Sequence, residues 1–557
     1  MLLRKYFSVI MLLLLSILFL CFFNKLTQTP YLTFSDSAKY ADLARNIATG
    51  RGYGVSYSTF SNALLNLTKD NLFSAYWMSP LMSFAFLASF KALGISDLSV
   101  ITTSSIFYLG IVTMVYLIGN KLFGRLVGFL SAVAVAANVN FLDYATTGAT
   151  ETLFVFGLLL VFYLFILNNK WTNLFGFLSF IPIYLARPHA PIYLIVLLAF
   201  FLYLNLKDNR YIYLKIVFIV VSTILIYEIA ARLFGDKLFL VSIFNRGLIS
   251  SLHYSTIAPS NVALRETLID PRALFLANIG IMIKKFLYNM YNFYKLLPEI
   301  ASPYLWALFI IGLFKSNKNR LINSSKLTVL FMVAIVFIVN AITIPFYRYL
   351  HPTVPFVYIF AVATLVWIVE KMIDSKVSIF SYLKKTYSGL KKGHLTTGIS
   401  TFLIFFFVVG QTLGVIFLDS RFKVARTNKG KPPAYVRLSW LLRDNTGLDD
   451  VVITNLDTWG SWYGERKTIW FPLKPEQLNL KDDKEIPFDA IYLTSYLIDD
   501  ENYYMGEEWR QIFYNPENLE NEFIADNFEL KDVYQVSAEE TYERQDARAV
   551  LLVRKEH

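Results

Sequence analysis

The sequence predicts a polytopic α-helical membrane protein with about eleven transmembrane helices and a C-terminal α/β domain. Composition is the first reason. Of the 557 residues, 55% are hydrophobic and 17% are charged, whereas a soluble globular chain carries about 25% charged residues. The apolar residues also form blocks long enough to cross a bilayer, which takes about 20 residues. A soluble enzyme and a disulfide-stabilised secreted domain are therefore excluded.

Charge divides the chain near residue 420. The formal net charge is +11, yet residues 421–557 hold 18 Lys and Arg against 26 Asp and Glu. We predict a transmembrane domain over residues 1–420 and a soluble domain over residues 421–557. No soluble segment carries the stripe of basic and aromatic residues that binds nucleic acid, so no nucleic-acid partner is expected.

The first apolar run covers residues 6–23 and follows Arg4 and Lys5. No small-residue cleavage site follows it, so it is predicted to be an uncleaved helix whose N-terminus faces the cytoplasm. Long outer segments are expected at 24–98 and 234–302, and 79–93 is interpreted as an interfacial helix. Ten further crossings are predicted at 100–118, 126–143, 152–167, 173–186, 190–205, 214–233, 303–315, 327–345, 353–370 and 397–418.

An odd number of crossings places the C-terminal domain outside the cytoplasm. The short loops on the predicted inner face carry most of the loop lysines and arginines, including six lysines between Lys371 and Lys392. This is the bias expected of cytoplasmic loops. The chain is therefore predicted to be a multi-pass cell-membrane protein in contact with membrane lipids.

The tail alternates β-branched or aromatic runs with helical segments, which predicts a small α/β domain. The predicted helices are 433–443 and 507–514. The predicted strands are 451–455, 468–471, 490–494, 530–536 and 549–554.

Two acidic residues are the candidate catalytic groups. Asp36 opens a predicted amphipathic helix just after the first crossing, and Glu151 opens the apolar helix 152–167 on the same predicted face. A carboxylate at the membrane boundary can take a proton from an acceptor. Both acids also suit a helix start, Asp36 as an N-cap and Glu151 near the helix dipole, so the capping alternative stays open.

Basic residues on the same face are candidates for binding a lipid phosphate. Arg187 lies within an apolar region, where a cation usually has an anionic partner. Arg348 and His351 lie between two predicted spans, and a guanidinium binds phosphate bidentately. The alternative for both arginines is an interfacial side chain that extends to water. Lys284 and Lys285 fit either a donor phosphate or simple headgroup contacts.

Tyr40, His189 and Tyr347 flank these charged residues and are the candidate substrate-binding side chains. Nucleotide-binding loops, HExxH motifs and Cys/His clusters are absent from the sequence, so neither a cofactor nor a metal is predicted.

The order of the motifs resembles the GT-C superfamily of integral membrane glycosyltransferases. An acid in the first outer loop precedes a Tyr-x-x-x-Ala-x-x-Ile-x-x-Gly helix, and residues 116–128 read YLIGNKLFGRLVG. Thr-Glu then opens a helix, followed by Arg-Pro, by Arg-Tyr-Leu-x-Pro at 348–352, and by an outer α/β tail. The branch most similar contains the protein O-mannosyltransferases and the lipid A aminoarabinose transferase. The resemblance covers about residues 1–420.

That resemblance implies a sugar donor carried on polyprenyl phosphate and used on the outer face, with a glycan, lipid or protein as acceptor. It implies that Asp36 is the base, that Glu151 orients a substrate, and that the arginines hold the phosphate. Transfer would invert the anomeric carbon. The family often carries His or Lys where this chain has Met78. Either another cation, such as Lys284 or Arg187, takes that place, or the chain is a divergent member with altered activity. A transporter or flippase of lipid-linked sugars is the alternative function, and a scaffold protein is a third.

Overall fold

The computed structural model describes most of the chain. The described residues are 2–27, 30–60, 72–75, 78–187, 189–205, 220–222, 279–342, 346–374, 392–419, 422, 430–456, 458–479, 488–500, 505–543 and 545–555. Most of the predicted crossing at 214–233, residues 234–278 of the predicted outer segment 234–302, and most of the lysine-rich loop before the last crossing lie outside them.

Helices dominate the first three quarters of the chain. Two of the described segments there are helical but not α-helical: a 3₁₀ turn over Tyr347–Thr353 and a π-helical turn over Phe405–Val409. The α-helices are α1 (Leu2–Thr27), α2 (Ser35–Ala48), α3 (Leu81–Leu93), α4 (Asp97–Phe123), α5 (Arg125–Ala136), α6 (Val139–Thr147), α7 (Glu151–Leu167), α8 (Lys170–Leu178), α9 (Phe180–Tyr184), α10 (Ala190–Asn205), α11 (Ile279–Ile300), α12 (Pro303–Phe314), α13 (Arg320–Ile342), α14 (Val354–Asp374), α15 (Lys392–Ile404) and α16 (Gly410–Leu418).

The long helices have the dimensions of membrane spans. Among the described residues, five helices are long and apolar enough to cross a bilayer, and the count is seven if two bent pairs are each one span. The bends are 58° between α5 and α6 and 111° between α11 and α12. These helices mark the chain as a membrane protein. The predicted number of eleven crossings stays a prediction, because α3, α7 and α10 are shorter apolar helices.

Small residues let α4 and α5 pack closely as a hairpin. A Cβ atom on Gly119 would lie 2.8 Å from the Cα of Gly128, and one on Gly128 would lie 2.7 Å from the Tyr116 carbonyl oxygen. Glycine is required here because the two backbones touch, which is how helices commonly associate in membranes.

The C-terminal part, from residue 430 onward, contains a mixed sheet. The α-helices among its described residues are α17 (Ala434–Asn445), α18 (Trp459–Trp462), α19 (Glu507–Tyr514) and α20 (Glu522–Asn527). The strands are β1 (Tyr57–Thr59), β2 (Val451–Thr454), β3 (Lys467–Trp470), β4 (Ala490–Thr494), β5 (Phe528–Val536) and β6 (Ala547–Arg554). Their order in the sheet is β1-β3-β2-β4-β6-β5. The parallel pairs are β1–β3, β3–β2 and β2–β4, whereas β6 runs antiparallel to both neighbours.

Strand β1 comes from the first predicted outer segment, about 400 residues before its neighbour β3. It pairs Tyr57 with Thr468 and Thr59 with Trp470. The sheet is thus completed by a strand that follows α2, and the two parts of the chain share one apolar core. Leu43, Tyr57 and Phe60 pack there with Ile453 and Ile469. The boundary near residue 420 stays a prediction.

We expect the C-terminal part to face the outside of the cell, as the charge of the loops predicts. In a chain whose Cys21 is replaced by Ser, a cysteine at exposed Glu520 should react with an impermeant thiol reagent in intact cells. A cysteine at exposed Lys318, on the predicted inner face, should react only after lysis. The reverse pattern of labelling would exclude the predicted topology.

Candidate active site

Asp36 lies in the first turn of α2, but its side chain does not cap the helix. The N-cap residue is Phe34, and no side chain closes that helix end by a hydrogen bond. Instead Arg348 Nη2 lies 3.1 Å from Asp36 Oδ2, and Lys39 Nζ lies 3.5 Å from Asp36 Oδ1. The Asp36 side chain is 24% exposed, so a substrate can reach the carboxylate.

Glu151 begins α7 and forms a buried ion pair with Arg187. The distance from Arg187 Nη2 to Glu151 Oε1 is 2.5 Å, and the two residues are 6% and 3% exposed. The interfacial alternative requires the Arg187 side chain to extend to water. The side chain is instead buried in this ion pair. Taking two charges out of water costs several kcal/mol per ion before their attraction offsets it. Such a pair needs a reason to be buried.

Tyr40 lies within the electric field of both pairs. It is one turn after Asp36 on α2, and the charges of Arg187, Asp36, Glu151 and Arg348 all act on its phenol, while burial raises its pKa. The phenol therefore stays protonated and keeps its O–H donor. Helix α2 is itself fixed to the end of α6, because Ser37 Oγ donates to the carbonyl oxygen of Thr147 at 2.8 Å.

The 3₁₀ turn before α14 presents Arg348 to this site. Its guanidinium carbon lies 5.0 Å from the ring centre of Phe34, 5.4 Å from that of Phe346 and 5.6 Å from that of Tyr349. These rings hold the planar group in place while it contacts Asp36. The Nε–H group of Arg348 is buried and has no hydrogen-bond partner among the described residues. One donor is thus left for an acceptor outside the protein.

The two histidines pack into the same region. His351 is 1% exposed, shares a hydrogen bond with the Tyr144 hydroxyl through Nδ1, and lies 5.6 Å from the Tyr347 ring. Its Nε2 has no partner in the described part of the chain. His189 packs against Tyr349 at 5.4 Å. Burial, together with the charges of Arg187 and Arg348, lowers the pKa of His189 to about 3, so the ring is neutral and can only exchange hydrogen bonds.

The charges of the site leave a positive excess. Arg187, Arg348 and Lys39 face two carboxylates, Asp36 and Glu151. Burial raises the pKa of the Asp36 carboxyl, but the charges of Arg348, Lys39 and Arg187 outweigh burial and hold this pKa well below its ordinary value. Asp36 is therefore ionised across the physiological range. One net positive charge among these five residues favours an anionic ligand.

Tyr347 connects the site to a cavity of about 460 Å³. The cavity lies between the start of α6, the bend between α11 and α12, and α16 with the π-helical turn before it. Its lining includes Asn140, Glu299 and Gln411. Breaks in membrane helices are tolerated where they line a cavity. The bend between α11 and α12 lines this cavity together with Tyr347, which belongs to the 3₁₀ turn that carries Arg348.

Lys284 and Lys285 are placed differently from the arginines. Both lie on α11, where Lys284 is exposed and Lys285 is buried. The described ion pairs of Asp36 and Glu151 go to Lys39, Arg348 and Arg187 instead. Met78, at the position where the resemblance suggests a cation, is 5% exposed and packs with Leu43 in the apolar core beside α2.

Sequence reasoning missed three members of this cluster. Lys39 could have been found, because it is three residues after Asp36 on a predicted helix and therefore on the same face. Tyr144 and Tyr349 carry no comparable signal. Their roles depend on contacts with His351 and Arg348, which no local pattern predicts.

The described residues hold no group of three or more His, Cys, Asp or Glu side chains close enough to share a metal ion.

Comparison with known proteins finds likeness in three-dimensional structure. No protein-family model matches the chain, and no curated protein matches it in sequence. The oligosaccharyltransferase of Archaeoglobus fulgidus, solved with zinc and sulfate, aligns over 96% of this chain and 72% of its own, with 12% identity and a TM-score of 0.56. ArnT, the lipid A aminoarabinose transferase, from Cupriavidus metallidurans aligns in its apo state over 98% and 97%, with 10% identity and a TM-score of 0.52.

ArnT of the same organism bound to undecaprenyl phosphate aligns over 98% of each chain, with 10% identity and a TM-score of 0.49. At such identities a likeness establishes the fold alone. The oligosaccharyltransferase and apo ArnT are both GT-C glycosyltransferases, and each alignment spans nearly the whole of this chain. This protein therefore has the fold of the GT-C integral membrane glycosyltransferases, which confirms the resemblance drawn from its sequence.

Proposed function

We propose that this protein is a glycosyltransferase that moves a sugar from a polyprenyl-phosphate donor to an acceptor on the outer face of the membrane. One observation carries the proposal: a reachable carboxylate, Asp36, lies in contact with an arginine that has an unused donor, Arg348. In a single displacement the base and the phosphate-binding group must both reach one substrate, because the nucleophile and the leaving group lie on opposite sides of the same carbon.

The donor phosphate is assigned to Arg348 and Arg187, with His351 and neutral His189 as hydrogen-bonding partners. The net positive charge of the cluster supports this assignment, because departure of a polyprenyl phosphate concentrates negative charge on its oxygen atoms. Fixed cations that face this charge lower the barrier. Tyr347 and the adjacent cavity provide room for a bound substrate. Lys284 and Lys285 are assigned to headgroups or to the lipid side of the donor.

The acceptor hydroxyl or amine is assigned to Asp36. It gives its proton to the carboxylate while its oxygen or nitrogen bonds to the anomeric carbon, and the bond from that carbon to the phosphate oxygen breaks. The electron pair of the broken bond leaves with the polyprenyl phosphate, and the anomeric configuration inverts. Glu151, held by Arg187, and the Tyr40 hydroxyl orient the sugar.

Arg348 also controls the strength of the base. In the absence of donor its charge stabilises ionised Asp36, which makes the carboxylate a weak proton acceptor. A phosphate bound to Arg348 neutralises that charge, so the pKa of Asp36 rises when the donor is in place. The base is thereby strongest in the donor complex, where transfer to the acceptor is possible.

Replacement of Asp36 by Asn tests the proposal most directly. General-base catalysis contributes about 10²- to 10⁴-fold, so kcat for transfer should fall by that factor while binding of the lipid donor persists. Exposed Asp444→Asn is the matched control. The measurement is transfer of labelled sugar by purified protein in nanodiscs. A transporter of lipid-linked sugars would instead translocate the labelled lipid without transfer and would tolerate Asp36→Asn.

Replacement of Arg348 by Ala should weaken use of the donor. Loss of a charge-assisted contact costs about 1.5–3 kcal/mol, or about 10- to 150-fold in donor affinity, and Lys should restore part of it because the charge survives without the bidentate geometry. Arg320→Ala, an exposed arginine bound to the Tyr203 carbonyl, is the control. Unchanged dependence of the rate on donor concentration would remove Arg348 from the site.

Arg187→Ala is predicted to act on folding as well, because it leaves Glu151 buried without a partner. Breaking a buried ion pair costs about 3–5 kcal/mol. The informative variant is therefore Arg187→Lys, compared per folded molecule by its donor dependence.

The pH profile tests the electrostatics of Asp36. A neighbouring cation lowers the pKa of a carboxyl, so its removal raises that pKa. Lys39→Met should therefore move the acid limb of kcat/KM toward higher pH, with little effect on the rate at neutral pH. Lys318→Met, on an exposed loop, is the control. An acid limb at an unchanged pH would show that Asp36 does not titrate in that limb.

A further inference from the structure

Helix α2, which carries Asp36, is attached at both ends to the C-terminal part of the chain. The attachments involve residues that we call the clamp: Tyr435, Thr458, Ser461, Trp462 and Tyr463. They lie on α17 and α18 and directly before and after α18, more than 400 residues away in sequence. The described hydrogen bonds between the clamp and the α2 region go to Leu32, Ser35 and Arg45, and not to the charged side chains that are assigned to catalysis.

The first attachment lies just before α2. Both backbone groups of Leu32, which is fully buried, are bound by clamp tyrosines. Tyr463 Oη accepts from the Leu32 N–H at 2.8 Å, and Tyr435 Oη donates to the Leu32 carbonyl oxygen at 2.7 Å. Tyr463 Oη also donates to Asp97 Oδ2 at 2.7 Å. Asp97 is the first residue of the long span α4, so one hydroxyl connects the approach to α2, the clamp and the membrane domain.

The second attachment is one residue from Asp36. Thr458 Oγ1 donates to the carbonyl oxygen of Ser35 at 3.1 Å. This bond attaches the peptide that leads directly into Asp36, in the first turn of the helix, to the C-terminal part.

The third attachment is made by Arg45, in the last turn of α2. Arg45 donates to the carbonyl oxygens of Trp462 and Ser461 at 2.9 and 2.7 Å, and its guanidinium lies 4.8 Å from the Trp462 ring centre. Fully buried Asp42 holds Arg45 in that orientation at 2.6 Å. The same carboxylate accepts from the backbone N–H of Ser56 at 2.6 Å, next to β1.

These contacts decide where Asp36 stands relative to Arg348. Arg348 belongs to the turn before α14, whereas Asp36 belongs to a helix whose start, last turn and following strand are all bound to the C-terminal part. We infer that Thr458 and Tyr463 are positioning residues, through which the C-terminal part sets the distance between the base and the phosphate-binding arginine. The inference rests on the proposed function.

A misplacement of about 1 Å can cost on the order of 100-fold in rate. Removal of one hydroxyl from the clamp should therefore lower kcat by about 10- to 100-fold, and leave the donor KM within about threefold because Arg348 stays on its own helix. The acid limb of kcat/KM should also move to higher pH, because a looser Asp36–Arg348 contact lowers the pKa of Asp36 less.

The experiment compares Tyr463→Phe and Thr458→Val with two controls, using the full chain in nanodiscs and labelled polyprenyl-phosphate sugar. Tyr492→Phe removes a buried hydroxyl that donates to the Leu438 carbonyl within the same C-terminal part. It should leave kcat per folded molecule unchanged. Thr458→Ser keeps the hydroxyl and should retain the wild-type kcat.

Three outcomes overturn the inference. In the first, both clamp variants keep the wild-type kcat while Asp36→Asn is inactive, and the proposed function stands. In the second, the clamp variants yield less folded protein but the same kcat and pH profile per folded molecule, so their role is structural. In the third, Tyr492→Phe lowers kcat as much as Tyr463→Phe. Full transfer activity in Asp36→Asn, in contrast, overturns the proposed function itself.

Discussion

The ion pair between Asp36 and Arg348 is the contact around which the site is built. It joins residues 312 positions apart, one just after the first span and the other just before α14. Each partner depends on a different support. Aromatic rings surround the guanidinium, and α2 is bound by α6 and by the C-terminal part. Moving either support changes the electrostatic potential at Asp36. The pKa of Asp36, and hence its strength as a base, changes with it.

Burial of the second ion pair, Glu151 and Arg187, costs desolvation free energy. Two desolvated ions are tolerated only when their geometry is good, and replacing such pairs by apolar residues is often neutral or stabilising. Stability alone therefore does not explain them. The excess positive charge beside them, and the unused donor of Arg348, are what an anionic substrate requires.

The two parts of the chain are coupled more closely than a membrane domain with an appended soluble domain. Strand β1 extends the C-terminal sheet, and Leu43 on α2 packs in the core of that sheet. Asp97, at the start of α4, accepts hydrogen bonds from Trp462 and Tyr463 of the clamp. The boundary near residue 420 stays a prediction from charge, and these contacts join residues on its two sides. Physical coupling of this kind gives the C-terminal part a direct route to the position of Asp36.

The sequence by itself determined the membrane class, most of the helices and the segments that form the strands of the C-terminal part, because these follow from local apolar periodicity and residue preference. It also singled out Asp36 and Glu151 as acids at helix starts on one predicted face, Arg187 as a cation in an apolar region, and Arg348 as a cation near the membrane surface. Which acid pairs with which arginine was decided only by tertiary structure, since those partners are distant in sequence. The capping alternative for Asp36 failed for the same reason: the local sequence permits a cap, and Arg348 and Lys39 draw the carboxylate elsewhere. The pairing of β1 with β3 and the clamp on α2 likewise require two remote segments to meet, and backbone hydrogen bonds between them leave no pattern in either segment.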